Sequence, residues 1–191
     1  MTDDGIVPQN PEPVPEHRTA TGATLSWFRD LFLSVLIAIV VILFLYQPVK
    51  VEGTSMMPSL QNDERIFINK FVYRFGISDI GRGDTVVFLY PYDPTKSYIK
   101  RVIGIPGDTI EIDDGNVIVN GKPILEPYVA EDFRDRIPMP RKIVPPDQYF
   151  VLGDHRSSSN DSRSWGWVPR QNIYGKAVFA YWPLEDLGAV H

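Results

Sequence analysis

Hydrophobic residues are spread along this chain in two unlike ways. Residues 31 to 49 form one block, LFLSVLIAIVVILFLYQPV, 19 residues without a charge. As a helix the block reaches about 28 Å, close to the ~30 Å hydrocarbon core of a bilayer. Its Leu, Ile, Val and Phe residues together favour the bilayer by about 5 kcal/mol on the insertion scale. Trp27, Phe28 and Tyr46 stand where interfacial aromatics belong, and Pro48 ends the helix. A buried core helix would show a polar face, and this run has none. A cleaved leader fits poorly, because a long acidic tail precedes the block and no small-x-small site follows in YQPVKVEG. The pattern predicts a transmembrane anchor over 25–48. Arg18 and Arg29 on one side balance Lys50 and Arg65 on the other, so charge does not set its orientation.

Beyond Val49 the texture changes to short alternating or apolar runs between turn signals. They are RIFIN (65–69), TVVFL (85–89), SYIKRVIGI (97–105), TIEI (109–112), NVIVN (116–120), QYFVL (148–152) and KAVFAYW (176–182). Asp113-Asp114-Gly115 and Asn120-Gly121 are tight-hairpin signals. Residues 49–191 therefore predict a mainly β, antiparallel, barrel-like domain. Residues 1–24, with Pro8, Pro11, Pro13 and Pro15 and little to bury, predict a disordered tail. FVYRFG (71–76) is an aromatic stretch suited to dipping into lipid.

Composition narrows the chemistry. The net charge is −5, which argues against a nucleic-acid partner. There is no cysteine, which excludes thiol nucleophiles, disulfides and Cys-ligated zinc. The three histidines, His17, His155 and His191, are scattered, and no H-E-x-x-H occurs. No metal or cofactor is expected.

Ser55 lies in VEGTSMMPSL, just past the apolar block. A serine hydroxyl needs a base before it can act as a nucleophile. His155, with Asp154 or Asp161, is one candidate, although the G-x-S-x-G elbow is absent. The other is a lysine whose pKa, ordinarily about 10.4, is lowered by desolvation. On SYIKRVIGI, period two places Lys100 with Tyr98, Val102 and Gly104, and puts Arg101 on the opposite face with Ile99, Ile103 and Ile105. Taken alone, a strand lysine is more often a solvated edge residue.

Four motifs in order carry a resemblance: GTSMMPSL (53–60), RGDTVVF (82–88), YIKRVIGIPGD (98–108) and YFVLGDHRSSSNDSRSWGWVP (149–169). Following an apolar anchor, they resemble the sequence boxes of bacterial type I signal peptidases, over nearly all of residues 27–182. The resemblance implies a membrane-bound serine endopeptidase that removes signal peptides from exported preproteins and cuts after small residues in an Ala-x-Ala pattern. Ser55 matches the nucleophile and Lys100 the general base. Ser159 matches a residue that orients the lysine. Asp154, Asp161 and Arg163 match bracing positions, with Arg101 as partner to Asp154. Val49, Val51, Met56, Leu60, Tyr98 and Ile99 would line the substrate pockets. The implied location is the bacterial inner membrane, with the N-terminus cytoplasmic and the catalytic domain on the outer face. Lipid bilayer and translocation machinery are the implied partners beside the preproteins.

Some relatives carry a serine two residues before the nucleophile as a second oxyanion donor. Gly53 stands here, which leaves that donor unassigned. His155 stands where relatives often have asparagine and reads as a turn residue. Two alternatives remain: a specialised paralogue with few substrates, and a catalytically silent membrane-anchored module that binds extended peptides. The presence of both Ser55 and Lys100 argues against the second. A soluble Ser-Lys autoprotease of the repressor type shares the dyad but lacks an anchor.

Overall fold

The computed structural model describes residues 20–74 and 78–190. The chain divides into two units, Met1–Val41 and Ile42–His191. Helix α1 (Ala20–Leu45) supplies the first. Its side chains are exposed on consecutive positions, Leu31, Phe32 and Leu33, then Val35, Leu36 and Ile37, so no face of it is buried. Among the described residues, no helix is long and apolar enough to cross a membrane. The tail expected over 1–24 lies outside the described residues up to residue 19, and the helix already begins at Ala20.

The second unit is built from antiparallel strands. In chain order they are β1 (Tyr46–Lys50), β2 (Arg65–Asn69), β3 (Thr85–Tyr90), β4 (Asp93–Gly104), β5 (Thr109–Asp113), β6 (Asn116–Val119), β7 (Lys122–Pro123), β8 (Met139–Ile143), β9 (Gln148–Leu152), β10 (Val168–Pro169), β11 (Ile173–Trp182) and β12 (Gly188–Ala189). Two short helices, α2 (Phe71–Arg74) and α3 (Ser162–Trp165), interrupt them. The seven strand runs expected from the hydrophobic pattern correspond to β2, β3, β4, β5, β6, β9 and β11. The β5–β6 turn has Asp114 and Gly115 at positive φ, and the β6–β7 turn has Asn120 and Gly121 there, as two-residue hairpins require.

The barrel expectation needs correcting. The larger sheet runs β1-β2-β11-β3-β4-β9-β10, with β12 on β11, and its two ends do not pair. A separate sheet runs β7-β6-β5-β8. The sequence holds the physical reason. Each of the four terminal strands contains a proline: Pro48 in β1, Pro169 in β10, Pro123 in β7 and Pro140 in β8. Proline lacks an N–H to donate to a further strand, so these strands are edges and neither sheet closes.

Three clusters of buried side chains fill the interior. One joins Val86, Phe88, Val102 and Val151 to Trp165 of α3. A second lies under the smaller sheet, with Ile110, Val117 and Met139 against Ile103, Phe150 and Leu152. The third places Val51, Met56 and Leu60 on Ile66, Ile68, Val87 and Ala177. Met56 and Leu60 are almost fully buried, each contributing about 1.5–3 kcal/mol. They pin the 51–60 segment to the sheet and fix the stretch that carries Ser55. In FVYRFG, Phe71 is half-buried, while Phe75 lies outside the described residues, so the lipid-dip expectation falls partly outside them.

Candidate active site

The segment after β1 is held by its backbone before any chemistry is placed on it. Val51 N–H donates to Glu64 O (2.7 Å) and Asp63 N–H to Val51 O (2.9 Å). Gly53 N–H donates to Asn62 Oδ1 (2.8 Å). Met57 N–H donates to Thr54 O (3.1 Å) and Leu60 N–H to Met56 O (2.9 Å), closing turns on either side of Ser55. Gly53 has φ +96°, a conformation that disfavours any side chain. The backbone thus excludes a second oxyanion donor of the serine type at this position.

Lys100 reaches this turn from β4. Its Nζ lies 2.6 Å from Ser55 Oγ and donates to Ile99 O at 2.9 Å. It also sits 5.6 Å from the Tyr98 ring centre. Lys100 is 4% exposed and forms no salt bridge among the described residues. Burial is the largest influence on its pKa and lowers it from 10.5 to about 8; the charges of Asp161 and Asp154 oppose this weakly. A neutral amine is therefore reachable near physiological pH, beside a serine hydroxyl.

The residue next to Lys100 is treated oppositely. Arg101 makes a bidentate pair with Asp154, at 2.9 Å from Nε and 2.6 Å from a terminal nitrogen, with both side chains buried. It also donates to Gly83 O and lies over the Tyr128 ring, 4.1 Å from its centre. Asp161 caps α3 by accepting from Arg163 N–H, accepts from Gly153 N–H (3.1 Å), and pairs with the Arg163 guanidinium at 2.8 Å. Arg163 continues to Asp135 (2.8 Å) and to Arg156 O (2.6 Å). These bonds lock residues 153–163 as one piece.

That piece meets the nucleophile directly. His155 N–H donates to Ser55 O at 3.1 Å. A Cβ on Gly153 would lie 2.2 Å from Ser159 Oγ and 2.4 Å from Ser55 O, so only glycine admits this approach. Ser159 Oγ is buried and has no hydrogen-bond partner among the described residues. The bond to Lys100 expected from the resemblance is not formed in this arrangement. The His155 ring faces Thr54 O through Nδ1 (3.3 Å) and stacks on Phe133 at 3.8 Å between centres. No hydrogen bond joins it to Ser55 Oγ, and the histidine-base alternative gains nothing from the geometry.

A cavity of about 310 Å³ opens over the pair. Val49, Val51, Met56, Tyr98 and Ile99 line it, together with Ser97, Asn160 and Tyr174, which sequence reasoning did not single out. Leu60 does not line it; it lies in the core and borders a different cavity near Pro127 and Tyr128. Sequence reasoning also missed the buried Arg156–Glu126 pair (2.5 Å) and the Tyr128 ring. Arg156 lay inside a quoted motif, but nothing in ILEPYV signalled Glu126 as its partner. Among the described residues no cluster of His, Asp or Glu is arranged to hold a metal.

A serine hydroxyl in contact with a buried lysine amine is an arrangement in which a neutral amine can take the hydroxyl proton without a histidine. The model of the signal peptidase, peptidase S26, family matches residues 24–182, and the chain belongs to that family. It is 36% identical to signal peptidase I of Leptolyngbya laminosa over 97% of this chain and 94% of that one. It is 40% identical to a probable signal peptidase I-2 of Synechocystis sp., covering 84% of this chain and 74% of that one. A solved signal peptidase I from Enterococcus faecalis V583 aligns with a TM-score of 0.47 at 30% identity, over 52% of this chain and 97% of that chain.

Proposed function

We propose that Ser55 and Lys100 are the nucleophile and general base with which this serine endopeptidase of the signal peptidase family removes signal peptides from preproteins. The observation that carries the assignment is the 2.6 Å contact between Lys100 Nζ and Ser55 Oγ at a site where burial disfavours the charged amine. Neutral Lys100 takes the Ser55 proton as Oγ attacks the scissile carbonyl. The Ser55 N–H, which has no partner among the described residues, donates to the resulting oxyanion. Lys100, now charged, protonates the departing amine, and the C–N bond breaks to leave an ester on Ser55. Lys100 then takes a proton from water, and the hydroxide released hydrolyses that ester. Ser159, whose buried hydroxyl has no partner among the described residues, is the residue proposed to orient the amine.

Substrate binding follows from an open edge. β4 pairs with β9 only from Arg101 onward, so residues 97–100 are paired on the β3 side alone. An extended peptide adds there as a strand, and alternate side chains enter the cavity lined by Val51, Met56 and Ile99. The small volume accounts for cleavage after small residues. Membrane anchoring through α1 completes the reading. It is supported by the uncharged run 31–49 and by side chains exposed on every face. The N-terminus would be cytoplasmic, and the catalytic unit would meet preproteins leaving the translocation machinery.

The test is cleavage of a purified precursor with an Ala-x-Ala signal peptide by the detergent-solubilised protein, with Lys100→Ala beside it. The wild type cuts after the second Ala and the variant does not. Equal cutting by both removes Lys100 as the base.

A further inference from the structure

A second and larger cavity, about 630 Å³, shares Tyr174 with the catalytic groove. Its described walls carry two cations, Lys70 and Arg170, and no carboxylate. In a chain of net charge −5 that is against the average. Neither cation has an ion pair among the described residues. Lys70 stands over the Tyr174 ring at 5.7 Å, and Arg170 over the Tyr73 ring at 5.7 Å. Arg170 otherwise donates to backbone carbonyls, Tyr73 O at 2.8 Å and Ile173 O at 3.5 Å. Asp147 adjoins Arg170, its backbone carbonyl accepting the Arg170 N–H at 2.8 Å, and Asp84 is bonded to the Tyr73 hydroxyl at 2.7 Å. Asp84 is already answered by Lys176 at 2.5 Å and by Gly81 N–H. The cavity therefore presents two cations that form no ion pair among the described residues, and Gln47 and Gln171 line it beside them.

Its position states what would compensate it. Lys70 N–H donates to the carbonyl of Leu45, the last residue of α1, at 3.4 Å. Asn69 pairs with Tyr46, and Gln47 of β1 is part of the wall. The lysine is thus tied to the point where the apolar run ends, which in a membrane-anchored chain is the depth of lipid headgroups. We infer that this cavity binds the phosphate of an anionic phospholipid headgroup between Lys70 and Arg170. A guanidinium offers paired N–H donors to phosphate oxygens, and an ammonium adds a compact charge. Inorganic phosphate shares this chemistry, and the location beside Leu45 selects the lipid. The inference rests on α1 being an anchor.

The test uses the full chain in neutral detergent micelles, followed by thermal unfolding. Phosphatidylglycerol is added to the micelles, with phosphatidylcholine and inorganic phosphate as parallel arms. At roughly ten-fold excess over its Kd, phosphatidylglycerol raises Tm by about 4 °C. Lys70→Gln and Lys70→Gln/Arg170→Gln abolish the rise, while Arg170→Lys keeps part of it. Each variant is referred to its own Tm in lipid-free micelles, which removes any effect on folding. An undiminished rise in the double variant overturns the inference, and an equal rise with inorganic phosphate overturns the lipid assignment. Loss of precursor affinity by the double variant in lipid-free micelles would give the cations to the preprotein instead. Flotation of the full chain with phosphatidylcholine vesicles checks the anchor separately. A chain that does not float loses the anchor reading, whereas one that floats without the Tm effect loses only the cavity.

Discussion

Lys100 and Arg101 are neighbours on β4, both almost completely buried, and their surroundings are electrostatic opposites. Arg101 faces Asp154 through two short bonds. Lys100 faces a hydroxyl, a carbonyl and an aromatic ring, with no carboxylate in salt-bridge contact. Alternation along the strand turns one side chain to the groove and the other to the bracket formed by Asp154, Asp161, Arg163 and the Arg156–Glu126 pair. The difference teaches that burial alone does not define a functional cation. A buried charge that is paired is held in its charged form, and one without a carboxylate partner is left free to titrate, as the proposed role of Lys100 requires.

The largest break in this comparison is Lys100→Met. It removes the base and lowers kcat by about 10⁴. It also stabilises the fold. The folded pKa, about 8, lies below the ordinary 10.5, so the unfolded chain holds more protons between those values and stability rises with pH there. Below pH 8 the penalty is complete, about 3 kcal/mol. Thermal unfolding at pH 7 should therefore show a higher Tm for the inactive variant, and the difference should vanish by pH 10.5. Lys100→Arg should be as inactive without the gain.

Asp154→Asn is the counterpart on the other side. It leaves Arg101 buried without its carboxylate and costs about 3–5 kcal/mol, read as a Tm lower by roughly 10 °C. Arg101→Met/Asp154→Leu should recover most of that loss, because the pair serves packing and position and not proton transfer.

The two sides were unequally legible in the sequence. Lys100 could be found because period two is a property of a strand read alone, and because SYIKRVIGI falls in a motif with matching neighbours. Hairpins at 113–116 and 119–122 were legible for the same local reason. Glu126 was not: it meets Arg156 across an irregular stretch with no period to project it. The open sheets were written in the edge prolines, yet which strands are edges emerges only once the strand order is known. The resemblance made Leu60 a pocket residue, but the 2.9 Å bond from its N–H to Met56 O accompanies a side chain buried in the core.

Gly153→Ala sharpens the comparison where the two sides touch. Its Cβ would meet Ser159 Oγ and Ser55 O well inside contact distance. Displacing the nucleophile by a fraction of an ångström to an ångström should lower kcat by about 10² with a smaller change in KM. The pH profile tests the lysine side without a mutation. kcat/KM for precursor cleavage should rise with pH to a plateau, with one apparent pKa of about 8. Below that pKa it should fall roughly tenfold per pH unit, as expected for one essential base that must be neutral. A limb centred near 6.5 would point to histidine.

The smallest expected effect is that of His155→Asn. The essential contact of this residue is its backbone N–H to Ser55 O, which asparagine keeps. What is lost is the stack on Phe133 and the ring contact to Thr54 O, and the asparagine amide can donate to that same carbonyl. Precursor cleavage should fall by no more than about three-fold, in line with a surface-type change below ~1 kcal/mol. The variant separates the candidate bases because it removes the only described histidine while leaving the Ser55–Lys100 contact untouched. A folded His155→Asn enzyme with no activity would move the base from the lysine to the histidine and make both buried cations of β4 architectural.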